Sequence, residues 1–165
     1  MTHAEFEQIF EAHQDAVFGF AWRMTGSPTA AEDIAQDCFI TLYKSPGSFD
    51  PARGSLRSWL LGIARNLLLK QWRKEHRWVV LEDEAIQREC PPADWSAVER
   101  VAHAVRTLPL LQREVVVLVE YEGMTLQEAA AAVGAEVGSV KARLHRAREN
   151  LRSALEPLRS NSHER

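Results

Sequence analysis

Between its glycine and proline breaks this chain places apolar residues at helical spacing almost throughout, and only one short stretch leans toward a strand. From Phe6 the pattern runs Phe6, Ile9, Phe10, Val17, Phe20, Ala21 and Met24, then stops at Gly26-Ser27-Pro28. Thr29 with Glu32 reads as a capping box, opening a second helix whose stripe is Ile34, Cys38, Thr41 and Leu42 and whose other face carries Asp33, Gln36 and Asp37. Residues 45–54 contain two prolines and two glycines and read as a loop, with Phe49 exposed unless something binds it. Ser55 can cap a third helix with the stripe Leu56, Trp59, Leu60, Ile63 and Leu67. Residues 79–98 shift in composition: they are acidic around Glu82, Asp83 and Glu84 and broken at Pro91-Pro92, which reads as a flexible linker. Beyond it Val101, Val105 and Leu108 mark a short helix that stops near Pro109, and another runs from Leu110 to Tyr121. Val115–Val119 has strand propensity, but Leu111, Val115 and Leu118 keep helical spacing and no alternating partner strand lies nearby, so helix is expected. The expectation is an all-α chain of two small helical domains, residues 1–78 and 99–165, joined by the linker 79–98.

Charge is sorted along this framework. Residues 1–50, 51–78, 79–136 and 137–165 carry −6, +6, −7 and +4, so the net charge of −3 hides two basic surfaces suited to a polyanion. The first basic block places Arg65, Lys70, Arg73, Lys74 and Arg77 toward the end of the third helix, interleaved with Trp72 and Trp78, which could serve either core or interface. Cys38 and Cys90 are far apart and fit no disulfide or zinc spacing, so inert thiols are expected. The N-terminus lacks the features of a secretory signal, no apolar run approaches a membrane span, and a cytoplasmic location is expected. No hydrolase, metalloprotease or phosphate-loop motif is present and the six histidines lack ligand spacing, which points away from an enzyme and calls for no cofactor or metal.

The second basic block sits on a recognisable motif. Thr125 and Glu128 form a capping box for a short helix through Val133, and Gly134 can adopt the left-handed conformation that turns the chain. A further helix from about Val137 has the stripe Val137, Val140, Leu144, Ala147 and Leu151, with Lys141, Arg143, His145, Arg146, Arg148 and Arg152 on or beside its other face. Short helix, glycine turn and basic helix make a helix-turn-helix, whose second helix fits the DNA major groove. By itself this motif also suits a stand-alone DNA-binding regulator.

The segment from Gly123 to Arg148 resembles region 4 of the extracytoplasmic-function (ECF) sigma factors of bacterial RNA polymerase. Ala31–Phe39 resembles the core-binding helix of that family's region 2, Phe49–Leu60 its promoter loop and following helix, and Leu108–Val115 the start of region 4. The resemblance implies that Asp33, Gln36, Asp37 and flanking Ile40 meet the clamp helices of the polymerase largest subunit, an acidic face suited to a basic partner. It implies that Phe49 contacts an unstacked base of the promoter −10 element, with Arg53, Arg65, Asn66, Lys70, Arg73, Lys74 and Arg77 along the DNA backbone. In region 4 it implies that Lys141, Ala142, His145 and Arg146 face −35 base edges while Ser139, Arg143 and Arg148 fix the phosphate register. It further implies an anti-sigma protein as partner. Two departures stand out: Ala129, Ala132 and Ala135 replace larger aliphatics, and Glu136 opens the recognition helix where proline or serine is usual.

Overall fold

The computed structural model describes residues 1–76 and 91–162, with side chains through residue 156; Arg77, Trp78 and Cys90 lie outside the described residues. Seven α-helices are described: α1 His3–Thr25, α2 Pro28–Lys44, α3 Leu56–Glu75, α4 Ala97–Thr107, α5 Leu110–Val116, α6 Leu126–Val133 and α7 Val137–Ser162. Among the described residues there is no strand. The β-prone valines are accommodated in α5 and in a π turn, Val117–Tyr121, that continues it. Their neighbours decide the outcome: Val115, Val116, Val117 and Leu118 are all buried against other helices, and no extended segment is at hand to pair with them.

Local signals set the helix ends. The start of α2 differs from the expected box at Thr29: Ser27 is the N-cap, its hydroxyl accepting from the Ala30 amide at 3.2 Å, and Pro28 occupies the first turn. A proline fits there because the first amides of a helix have no intrahelical acceptor to lose. Likewise α4 begins at Ala97 through a capping box of Ser96 and Glu99, inside the segment read as linker. The Ser55 cap is present, accepting from Ser58 N at 3.1 Å.

Helices α1, α2 and α3 pack around Val17, Phe20, Ala21, Ile34, Cys38, Leu60 and Leu61. Thr41, expected on the α2 stripe, is exposed, and Phe39 is buried in its stead. The buried line of α3 is Leu60, Leu61, Ala64, Leu68 and Leu69, rotated from the expected stripe, whereas Leu56, Trp59, Ile63 and Leu67 are half-buried. The rotation has a packing cause: α3 touches α1 and α2 on one side and α6 on the other, so apolar residues are needed on two faces. Helices α4 to α7 pack around Val105, Leu108, Val115, Leu118, Val140 and Leu144. The two groups meet through α1 with α4 and α5 and through α3 with α6, and their buried residues form one continuous cluster.

Candidate nucleic-acid interface

The helix-turn-helix has the geometry its residues require. Thr125 Oγ1 accepts from the Glu128 amide at 3.1 Å while the Glu128 carboxylate accepts from Thr125 N at 3.3 Å, so two otherwise unpaired amides at the start of α6 are satisfied. The backbone hydrogen bond from Thr125 holds the Glu128 carboxyl below its ordinary pKa. Gly134 then turns the chain at φ 66°, in the left-handed region. On α7 the stripe Val140, Leu144 and Ala147 is buried, with Leu151 half-buried, and this aims Ser139, Lys141, Ala142, His145 and Arg146 at solvent together. Arg143 is half-buried, close enough to Glu114 for its charge to oppose the rise that burial causes in that carboxyl's pKa. Arg148 is exposed and donates to Glu120 at 2.6 and 3.2 Å, and His145 lies 3.3 Å from Glu149. Ala129, at the expected thin spot of the motif, is fully buried and lets α6 and α7 close against each other.

The second surface is built from the loop before α3. Two 3-10 turns, Pro46–Ser48 and Pro51–Arg53, shape it, and Asp50 Oδ1 caps the second by accepting from Ala52 N at 3.0 Å. Phe49 is half-buried, its ring 5.7 Å from that of Trp59, where the sequence suggested an exposed ring; Trp59 supplies the cover within the chain itself. Between this loop, α3 and α6 lies a cleft of about 660 Å³ lined by Phe49, Arg53, Ser58, Trp59, Asn66 and Glu128, among others. Beyond the cleft Lys70, Arg73 and Lys74 are exposed along α3. Trp72 is half-buried with its ring stacked on His76 at 4.5 Å.

Arg65 stands apart from that row. Its side chain is only 14% exposed, and it donates to both oxygens of Glu114, from Nε at 2.8 Å and Nη2 at 3.2 Å. Glu114 is wholly buried; desolvation pushes its pKa up, opposed by Arg65. A second carboxylate, Glu122, is nearly buried beyond the π turn, where Arg57 donates to it and to its backbone carbonyl and Arg23 lies 3.5 Å away. Burial raises its pKa too, against both arginines. None of Arg23, Arg57, Glu114 and Glu122 was singled out from the sequence. Glu114 carried a readable sign, since it occupies an i, i+4 position after Leu110 on an otherwise apolar stripe.

On α2 the residues Asp33, Gln36, Asp37 and Ile40 share one exposed face. Next to it the rings of Phe6, Phe10, Phe39 and Tyr43 form an edge-to-face cluster, Phe10 to Phe39 at 4.9 Å and Phe6 to Tyr43 at 5.3 Å, with Phe10 and Tyr43 partly in solvent. An acidic face edged by exposed aromatic and aliphatic surface is a suitable patch for a protein with basic and apolar groups. Cys38, under this face, is buried with its thiol 3.3 Å from the Leu60 carbonyl, and burial pushes its pKa up to about 12. Among the described residues no group of three or more His, Cys, Asp or Glu is placed to hold a metal, and no helix is long and apolar enough to cross a membrane.

Comparisons with known proteins agree with this arrangement. Residues 9–78 match the family model for Sigma-70 region 2, and residues 99–151 that for Sigma-70, region 4. The ECF RNA polymerase sigma factor SigW of Bacillus subtilis (strain 168) is 31% identical over 169 residues, covering 93% of this chain and 90% of SigW. SigE of Mycolicibacterium smegmatis, also an ECF RNA polymerase sigma factor, is 30% identical over 167 residues; the match takes in 91% of this chain but 61% of the relative. Among solved structures, the sigma factor RpoE of Bartonella quintana, in complex with the anti-sigma factor NepR, superposes with a TM-score of 0.75 at 28% identity, covering 92% of this chain and 97% of that one. With both regions matched in order and a relative aligned over nearly its whole length, the chain belongs to the extracytoplasmic-function RNA polymerase sigma factors of the sigma-70 family, the factors that direct transcription initiation.

Proposed function

We propose that this chain docks on core RNA polymerase through α2, reads a −35 element as duplex through α7, and holds an unstacked base of the −10 element in the cleft beside Phe49. In this reading residues 1–78 and 99–165 are the two working units and residues 79–98 join them. The observation that carries it is the open face of α7: Ser139, Lys141, Ala142, His145 and Arg146 point outward together because Val140, Leu144 and Ala147 point inward. A helix so presented fits the major groove, where lysine and arginine donate to guanine O6 and N7, and flanking Arg143 and Arg148 are within reach of phosphates. The cleft is lined by two rings, Phe49 and Trp59, and by the polar Ser58 and Asn66, which suits a base that has lost its stacking neighbours. Lys70, Arg73 and Lys74 follow the DNA backbone. On α2, Asp33, Gln36, Asp37 and Ile40 face the clamp helices of the polymerase largest subunit. The chain carries out no covalent chemistry; the polymerase does. An anti-sigma protein, as in the RpoE complex, is the expected regulator.

The test is transcription by core polymerase on a genomic fragment library, paired with footprinting of the recovered promoters. The expected result is initiation only in the presence of this protein, and protection of −35 and −10 elements only when polymerase is added. Strong specific protection by the protein alone would favour a stand-alone regulator instead.

A further inference from the structure

A groove of about 710 Å³ runs between α1 and α4, and none of its lining residues belongs to the cleft beside Phe49 or to the faces assigned to DNA and polymerase. Its walls are apolar: Phe18 and Trp22 come from α1, Val98, Val101 and Val105 from α4, and Tyr121 from the π turn. Much of this surface is uncovered, with Trp22 39%, Tyr121 41% and Val98 80% exposed. Small-ligand sites span about 300–1,000 Å³ and are lined mainly by aliphatic and aromatic side chains with a few polar groups, and the groove fits that description.

Two arginines give the groove a cationic edge, and two glycines make room for them. A Cβ on Gly19 would lie 2.8 Å from Arg23 Nη1, and one on Gly26, at the end of α1, would lie 2.6 Å from Arg106 Cδ. Arg23 is already engaged, 4.6 Å from the centre of the Tyr121 ring and 3.5 Å from Glu122. Arg106 is half-buried and makes no hydrogen bond or ion pair among the described residues. A guanidinium without a counter-charge, set beside an apolar wall, favours a ligand with an anionic head and an apolar body. The surrounding field limits how much charge that ligand carries. Residues 1–50 and 79–136, which supply the groove, hold −6 and −7, so an anionic membrane or an acidic helix would press many like charges against them. A single carboxylate brings only one. A helix is also too wide: at about 10 Å across and 1.5 Å rise it fills about 120 Å³ per residue, so a groove of about 710 Å³ houses less than two turns.

We infer that the groove between α1 and α4 binds a free amphipathic carboxylate of the fatty-acid kind, its chain along Phe18, Trp22 and Val101 and its head on Arg106. The test needs neither polymerase nor DNA, so its outcome is separate from that of promoter recognition. Calorimetric titration of the full chain with dodecanoate should show one site with a Kd below about 1 mM, the affinity that ordinary ligand efficiency gives a molecule of this size. Dodecanoate should move the indole N–H resonance of Trp22 and leave that of Trp59, in the other cleft, in place. Arg106→Ala should weaken binding by about threefold or more, and Arg106→Lys by less, because the charge is kept. Val101→Trp, which fills the groove, should abolish binding; if that variant does not fold, the two Arg106 variants decide. Absence of saturable binding, a shift of Trp59 in place of Trp22, or equal affinity in Arg106→Ala overturns the site. Adsorption to phosphatidylglycerol vesicles, or capture of an acidic amphipathic peptide, with dodecanoate left unbound would give the groove to a membrane or a protein and overturn the free ligand.

Discussion

Removing Arg65 should cost more than removing any other arginine of α3, and for a reason unrelated to DNA. Its guanidinium makes two hydrogen bonds to a carboxylate that is 0% exposed, and is itself largely shielded. Arg65→Ala removes the two-pronged partner of a buried carboxylate, a loss worth about 3–5 kcal/mol for a buried pair broken on one side. The structure also sets a ceiling. Glu114 can take up a proton, since burial already raises its pKa, and this relief limits the observed loss. Urea unfolding followed by tryptophan fluorescence on Arg65→Ala, Glu114→Gln and the double variant gives the coupling directly. A coupling of about 1–3 kcal/mol is expected for residues sharing one ion pair. Coupling below about 0.5 kcal/mol would mean that the pair is not made in solution, and would return Arg65 to the DNA-facing row where the sequence put it.

Four other outcomes follow from the geometry. Ser27→Ala should lower stability by about 1 kcal/mol in the same urea assay while Thr29→Ala leaves it nearly unchanged, because the hydroxyl that caps α2 is that of Ser27; the reverse order would restore the box at Thr29. Cys38 should resist iodoacetamide in the native protein and react only on unfolding, its thiol being buried with a pKa of about 12; rapid native labelling counts against a structural role. Arg146→Ala should weaken discrimination among −35 sequences by about 1–3 kcal/mol, whereas Lys74→Ala should weaken binding with little dependence on sequence, and equal effects across promoters refute that division. Glu128 should titrate below its ordinary value of 4.5 by NMR. Because its pKa is depressed in the folded state, its contribution to α6 is present above the unfolded pKa and fades as pH drops through the lowered one; loss of α6 amide protection already at higher pH would contradict this.

The helices and the recognition face were legible because they depend on local rules. Gly134, the box at Thr125 and the stripe Val140, Leu144 and Ala147 each act within a few residues, and the structure has them as read. Errors arose where a residue answers to something distant. The apolar pattern of α3 reads one step away from its buried line because the helix is covered on two sides, and a single-face stripe describes only one of them. Phe49 reads as open because it lies in a loop, and nothing local shows that its ring meets Trp59 ten residues on. The pairs of Arg65 with Glu114 and Arg57 with Glu122 join positions 49 and 65 residues apart, and no spacing rule reaches that far. At Ser27-Pro28 the sequence reads as a stop, yet the proline serves as the start of α2, where a missing amide costs nothing.

The π turn at Val117–Tyr121 makes the run it ends tolerant of a change in its own length. Its wide loop absorbs about one residue more than an α turn would, and so sets the angle at which Glu122 leaves the helix. Delete a single valine from this run and the surplus residue is gone: ordinary winding returns, and the residues beyond keep nearly the same facing. Glu122 would then still face Arg23 and Arg57, with the net charge unchanged. A one-residue deletion at this turn is thus absorbed, whereas the same deletion in the middle of α3, which has no such loop, would swing everything downstream by about 100°.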